Sequence, residues 1–181
     1  MILNQEECNK EERWYAMRVI GYRVDGVVRR HLDDVHVKYF QPLHEVVRHR
    51  GNKAYKEIVP IVSGLFFTYG LESDIQKCCV ECDNKLQFIF PRGHKITDRI
   101  VIGNKEMEDF IKVASQKGAT FIAAEEINPA VGKKVKIHGG VFDGVEGKLI
   151  SKGRGKTLVV EIGVMAVKAK VTPDVIEVIE E

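Results

Sequence analysis

The chain is expected to fold as an α+β protein: an α/β sandwich followed by a small β-barrel. Two observations carry this expectation. Strand-like and helix-like segments alternate through the first 120 residues, the pattern of helices packed on a mixed sheet. Glycines then crowd the end, with eight of the 16 lying after residue 130 between short alternating strands. Four or five short strands within some 50 residues, punctuated by glycine, are the mark of a small barrel.

The elements follow in order. Arg13 to Ile20 is aromatic and β-branched and reads as a strand that ends at Gly21. Val24, Val27, Val28, Leu32 and Val35 recur at helical spacing, with Arg29, Arg30, Asp33 and Asp34 off that face. Val37 to Leu43 is a second strand with Pro42 at its exit. Glu45 to Ile58 has the make-up of a hairpin with a polar tip at Arg50 to Lys53. Ile61 to Tyr69 is the most apolar stretch and is expected to be a central strand interrupted at Ser63-Gly64. Ile75, Cys78, Cys79 and Cys82 then fall at i, i+3, i+4 and i+7, a buried helix face. Leu86 to Phe90 and Ile96 to Ile102 are strands expected to lie near one another. Asn104 is placed as an N-cap before a helix with Met107, Phe110, Ile111 and Ala114 on one face and Gly118 closing it. Residues 13–120 thus form the first domain, 121–130 a linker and 131–181 the barrel, whose strands are Lys134–Ile137, Glu146–Ile150, Thr157–Ile162 and Met165–Val171.

Composition narrows the function. Lys and Arg number 28 against 26 Asp and Glu, a net charge of +2, so no overall field steers the protein onto nucleic acid. Residues 131–181 hold nine basic and seven acidic residues and the first 130 hold 19 of each, so neither half is a polycation. No apolar run nears the roughly 20 residues of a membrane span. Met1 to Glu12 carries four acidic residues and no apolar core of a signal peptide, which makes the cytoplasm the expected compartment.

Enzymatic chemistry finds no foothold. None of His31, His36, His44, His49, His94 and His138 falls in H-E-x-x-H, and neither G-x-S-x-G nor a Walker A sequence occurs. Cys79 and Cys82 form C-x-x-C without a second pair or an H-x3-H to complete a zinc site. No cofactor and no metal are expected. Basic clusters remain at Arg23, Arg29 and Arg30, at Arg48, His49, Arg50, Lys53 and Lys56, and at Lys148, Lys152, Arg154 and Lys156. A few such residues give a weak, salt-dependent grip on phosphates. They equally suit a solvated surface. Alternation in Pro60 to Phe67 puts Ile61, Ser63, Leu65 and Phe67 on one side and Val62, Gly64 and Phe66 on the other, so an uncovered side would form an apolar patch.

Val131 to Leu149 closely resembles the KOW motif, G-x-x-V-x-V-x-x-G-x-F-x-G-x-x-G-x-V, through Gly132, Gly140, Phe142, Gly144 and Gly147, with Gly139 beside the turn. Ile137 and Leu149 stand where valines are usual. The pattern needs a strand, a tight glycine turn, an aromatic plug and a second strand. The front half, from Arg13-Trp14-Tyr15 through the basic helix, Tyr39-Phe40-Gln41-Pro42 and the hairpin to Pro60–Phe67, looks like a NusG amino-terminal (NGN) domain. The likeness spans residues 13–179. The usual F-P-G-Y is here Val62-Ser63-Gly64-Leu65, which keeps only the glycine and is closer to specialised paralogues of the UpxY and RfaH type.

The resemblance implies an NGN-type sandwich and an SH3-like barrel in a monomeric transcription elongation and antitermination factor. It implies docking on the clamp helices of RNA polymerase through Trp14, Val62, Leu65 and Phe67. Arg23, Arg29 and Arg30 would touch non-template DNA or nascent RNA weakly, and the KOW domain would reach a ribosomal protein or a termination factor. Suppressed pausing in long operons such as polysaccharide loci would follow. The alternative is a KOW-containing RNA-binding protein acting at the ribosome.

Overall fold

The computed structural model describes residues 11–91, 99–123, 126, 132–152, 155–171 and 175–179. It divides into two compact units, Met1–Val101 and Ile102–Glu181.

In the first unit, β1 (Arg13–Val19) lies between β5 (Leu65–Gly70) and β6 (Leu86–Phe88), and β2 (Lys38–Phe40) borders β5. The short β7 (Val101–Ile102) also pairs with β1. β1 and β5 run antiparallel with Trp14 opposite Tyr69, Ala16 opposite Phe67 and Arg18 opposite Leu65. Because side chains alternate across a strand, Tyr15, Met17, Val19 and Phe66 share one face. That face packs against Val28 and Leu32 of α1 (Asp25–Asp34) and Ile75, Cys78 and Cys79 of α2 (Glu72–Glu81). The helical spacing seen in the sequence is therefore the packing of two helices on one side of a sheet. Val28 and Leu32 are fully buried, while Val27 and Val35 at the margins stay exposed.

The cysteines behave as core. Cys78, Cys79 and Cys82 are buried free thiols. Burial first, then the neighbouring Cys82, pushes the Cys78 thiol up to about 11 and Cys79 to about 12. Thiols so hard to ionise are poor nucleophiles and poor metal ligands. Among the described residues no group of His, Cys, Asp and Glu is arranged to hold a metal. His94 and Cys8 lie outside the described residues.

Between β2 and β5 the chain forms a separate two-stranded hairpin, β3 (Leu43–Arg50) and β4 (Lys53–Pro60), turning at Gly51-Asn52. Its strands are longer than the Glu45–Ile58 span read from sequence, and the strand expected over Val37–Leu43 divides at Gln41-Pro42. The interruption expected at Ser63-Gly64 is real: residues 61–64 form a turn and β5 begins at Leu65.

The second unit, Ile102–Glu181, takes in α3 (Asn104–Ala114) and β8 (Thr120–Ala123) as well as the glycine-rich strands. The helix α3 packs on β11 (Gly155–Glu161) and β12 (Met165–Val171), burying Met107, Phe110 and Val113. The strand β8 pairs with β12, setting Phe121 opposite Val167, so α3 and β8 belong with the segment expected to form the barrel. Gly103, not Asn104, occupies the cap position, and its N–H donates to the Glu106 carboxylate at 3.2 Å. The strands run in the order β13 (Val175–Val178), β9 (Lys133–His138), β10 (Glu146–Lys152), β11, β12, β8. Among the described residues the strands form an antiparallel six-stranded path, and no ladder joins β13 to β8. The added strand β8 occupies one end of that path. No helix among the described residues is long and apolar enough to cross a membrane.

Candidate functional site

The glycine-rich segment takes the form its residue types demand. Gly132 precedes β9, Gly139 and Gly140 make the turn that follows it, and Gly140–Phe142 is a single 3-10 turn. Asp143 caps that turn by accepting the Gly139 N–H at 2.7 Å. The chain then returns through Gly144, whose N–H donates to the Ile137 carbonyl at 2.8 Å. Phe142 is buried and Val145 fully so, which is the plug the pattern requires. Gly147 sits in β10 where a Cβ would lie 2.6 Å from the Val159 carbonyl oxygen. Only a residue without a side chain lets these strands approach so closely.

A polar latch holds α3 above this turn. Asp109 is almost wholly buried, accepts the Lys105 ammonium at 2.5 Å and accepts the Glu146 N–H at 3.0 Å. Lys105 also donates to the Gly144 carbonyl at 2.8 Å, and Lys112 donates to that of Asp143. Charge-assisted hydrogen bonds of this kind are roughly twice as strong as neutral ones.

The four residues assigned to polymerase docking do not share one environment. Trp14, Leu65 and Phe67 stand on the sheet face opposite the helices, beside Ala16 and Tyr69. Trp14 is 3% exposed, Leu65 7% and Phe67 0%, so these three are buried. Tyr69 tilts against Trp14 with ring centroids 5.3 Å apart, and the Lys38 ammonium lies over both rings. Val62 alone projects, 44% exposed on the turn before β5.

That turn is fixed by residues distant in sequence. Gly64 adopts φ +72°, and a Cβ there would meet the Val19 carbonyl oxygen at 2.8 Å. Its carbonyl accepts the Val19 N–H at 2.7 Å. Asp25, the first residue of α1, accepts the Gly64 N–H at 3.4 Å and the Gln41 side-chain amide at 3.0 Å. The helix N-terminus stabilises a carboxylate at this place. Asp25 thus ties α1, the Gln41-Pro42 break and the Val62 turn together, a role no local sequence signal announced.

The arginines divide likewise. Arg23 and Arg30 are exposed, but Arg29 is half-buried with its Nε enclosed and without a hydrogen-bond partner among the described residues. It lies near Tyr39, whose phenol is held above its usual pKa by burial and then by a hydrogen bond and the charge of Asp33. Arg23 stacks 5.0 Å from the Tyr22 ring, and Tyr22 is 85% exposed. In the sequence only its place after Gly21 in a turn marks this exposed aromatic beside a cation. A second pair, Tyr55 opposite Arg48, lies on the hairpin. Two of the hairpin's cations are neutralised, Arg48 by Glu57 at 3.1 Å and Lys56 by Glu45 at 2.9 Å, leaving His49, Arg50 and Lys53 at the tip. On the second unit Lys148 pairs with Glu161, while Arg154 and the side chain of Lys152 lie outside the described residues.

No protein-family model and no curated protein match the chain. Among solved structures it is similar to one titled "Domain interaction in Thermotoga maritima NusG", with 15% identity over 94% of this chain and 98% of that one, at a TM-score of 0.42. A superposition that loose assigns neither family nor activity.

Proposed function

We propose that this protein is a non-catalytic, NusG-like transcription elongation and antitermination regulator, a specialised paralogue of the UpxY/RfaH type. It engages the clamp helices of RNA polymerase through the first unit and suppresses pausing or termination in long operons such as polysaccharide loci. The observation that carries the proposal is the residue-by-residue fit between the glycine–aromatic pattern of 132–149 and its packing. Phe142 is the buried plug, Gly139 and Gly140 make the turn, and Gly147 permits the close approach of β10 to β11.

The site assignment is refined accordingly. Val62 is the exposed contact, held in place by Gly64 and Asp25, and Trp14, Leu65 and Phe67 form the apolar floor behind it. Any direct touch by those three requires that their face become accessible. Arg23 with Tyr22, and Arg30, supply a local cation and a stacking surface for single-stranded nucleic acid. The test is transcription by core polymerase in vitro on a template with a defined pause and terminator. Addition of the protein is expected to shorten the pause and raise read-through. Unchanged pausing, together with rRNA binding that falls steeply with salt, would instead establish the ribosomal alternative.

A further inference from the structure

One face of the second unit's sheet carries a groove of about 810 Å3, within the size range of ligand-binding clefts. Its floor follows from strand alternation. Ile150 lies opposite Thr157, Thr157 opposite Lys170, and Val159 opposite Lys168, so these side chains share one face. The edge strand β8 adds Thr120 and Ile122 to the same face through their pairing with Lys168 and Ala166. Val141, 63% exposed, extends the apolar surface beside the turn.

The rim is cationic. Lys117, Lys168 and Lys170 border the groove, and Glu126 is the sole acid among its described lining residues. None of the three lysines has an ion-pair partner among the described residues. Their neighbours differ: Lys148 is paired with Glu161, and Lys105 with Asp109. β8, moreover, pairs only with β12, which leaves its other backbone edge open among the described residues.

From the juxtaposition of an aliphatic floor and three lysines without ion-pair partners among the described residues, we infer that the groove is a docking site for an extended acidic peptide with apolar side chains. Its apolar residues enter beside Ile122 and Ile150, and its carboxylates meet Lys117, Lys168 and Lys170. Nucleic acid fits less well, because base stacking needs an exposed aromatic face and Phe142, the aromatic lining the groove, is only 8% exposed. The site includes residues 116–122, which lie outside the KOW-like pattern, and it does not depend on the polymerase assignment.

The experiment uses the full chain and five immobilised probes. Four are sets of ten-residue peptides randomised over Glu and Leu, Gln and Leu, Lys and Leu, or Glu and Ser; the fifth is a ten-nucleotide single-stranded RNA. Binding is expected for members of the Glu/Leu set only. The Lys168→Glu/Lys170→Glu double variant, with its fold checked by circular dichroism, is expected to lose about tenfold in affinity, since two attractions become repulsions. Lys117→Glu, outside the sheet, is expected to weaken the same peptides should the double variant fail to fold. Equal binding of the Gln/Leu set, better binding of the RNA, undiminished binding by the folded charge-reversed variants, or no binding by any peptide overturns the inference.

Discussion

Gly147→Ala tests the packing on which the functional proposal stands. The new Cβ would lie 2.6 Å from the Val159 carbonyl oxygen, 3.1 Å from Leu158 Cδ1 and 3.1 Å from Val160 Cγ2. Real Cβ contacts essentially never fall below 3.0 Å, so β11 must retreat. The first clash is with backbone, which cannot rotate away as a side-chain tip could. Overpacking of this kind costs about 1–3 kcal/mol. For a unit of this size each kcal/mol moves the midpoint by roughly 4–8 °C, so a loss on the order of 10 °C is expected. Thermal unfolding of the full chain, followed by circular dichroism and calorimetry, would resolve it. Gly144→Ala separates packing from backbone strain: φ is +79° there with nothing within 4 Å, so its cost is the roughly 1–2 kcal/mol of a left-handed residue alone. Truncating Leu158 should not rescue Gly147→Ala. A Gly147→Ala protein within about 0.5 kcal/mol of wild type, the range of ordinary surface changes, would refute the close approach of β10 and β11.

Three further outcomes are expected. Asp109→Ala leaves the Glu146 N–H and the Lys105 ammonium without their buried acceptor and should destabilise the second unit by about 1–3 kcal/mol, read by urea denaturation. Cys78 and Cys79 have raised thiol pKa values when folded, so they favour the native state fully below the unfolded value near 9.0 and lose that contribution as pH climbs toward about 11 and 12. Stability should therefore fall over that alkaline window, less steeply in Cys79→Ala, and alkylation at pH 8 should be slow until denaturant is added. Gly26→Ala, in the first turn of α1 with open space around the new Cβ, should stabilise the protein by about 0.5–1 kcal/mol in the same denaturation assay.

What the sequence revealed was local. Periodicity located α1 through Val28 and Leu32 and the cysteine helix through Ile75, Cys78 and Cys79, because spacing along a helix directly sets which side faces the core. The glycine and aromatic positions of 132–149 were equally legible, since each answers to turn or packing geometry within a few residues. What lay hidden depends on partners far along the chain. The amphipathic face of α3 announces that Met107, Phe110 and Val113 are buried but not that β11 and β12 bury them. β8 is too short a run to be told from a linker until it pairs with β12. Asp25 reaches Gly64 across 39 positions, a link no spacing rule encodes. The candidate site suffered for the same reason: alternation showed that Leu65 and Phe67 share a side but not whether that side is covered. Burial also changes the useful mutation. A glutamate at Leu65 would enter a buried position and incur the desolvation of a charge, confusing loss of binding with loss of fold.

Val62 escapes that confusion, being 44% exposed. The most direct measurement is therefore the affinity of core RNA polymerase for the purified wild-type protein and for Val62→Glu, with native folding of both verified by thermal melts. Wild-type protein should bind, and Val62→Glu should bind at least about tenfold more weakly, the equivalent of 1.4 kcal/mol, while melting at the same temperature. Absence of wild-type binding, or equal binding by a folded Val62→Glu protein, would contradict the assignment of the first unit as a polymerase-docking module.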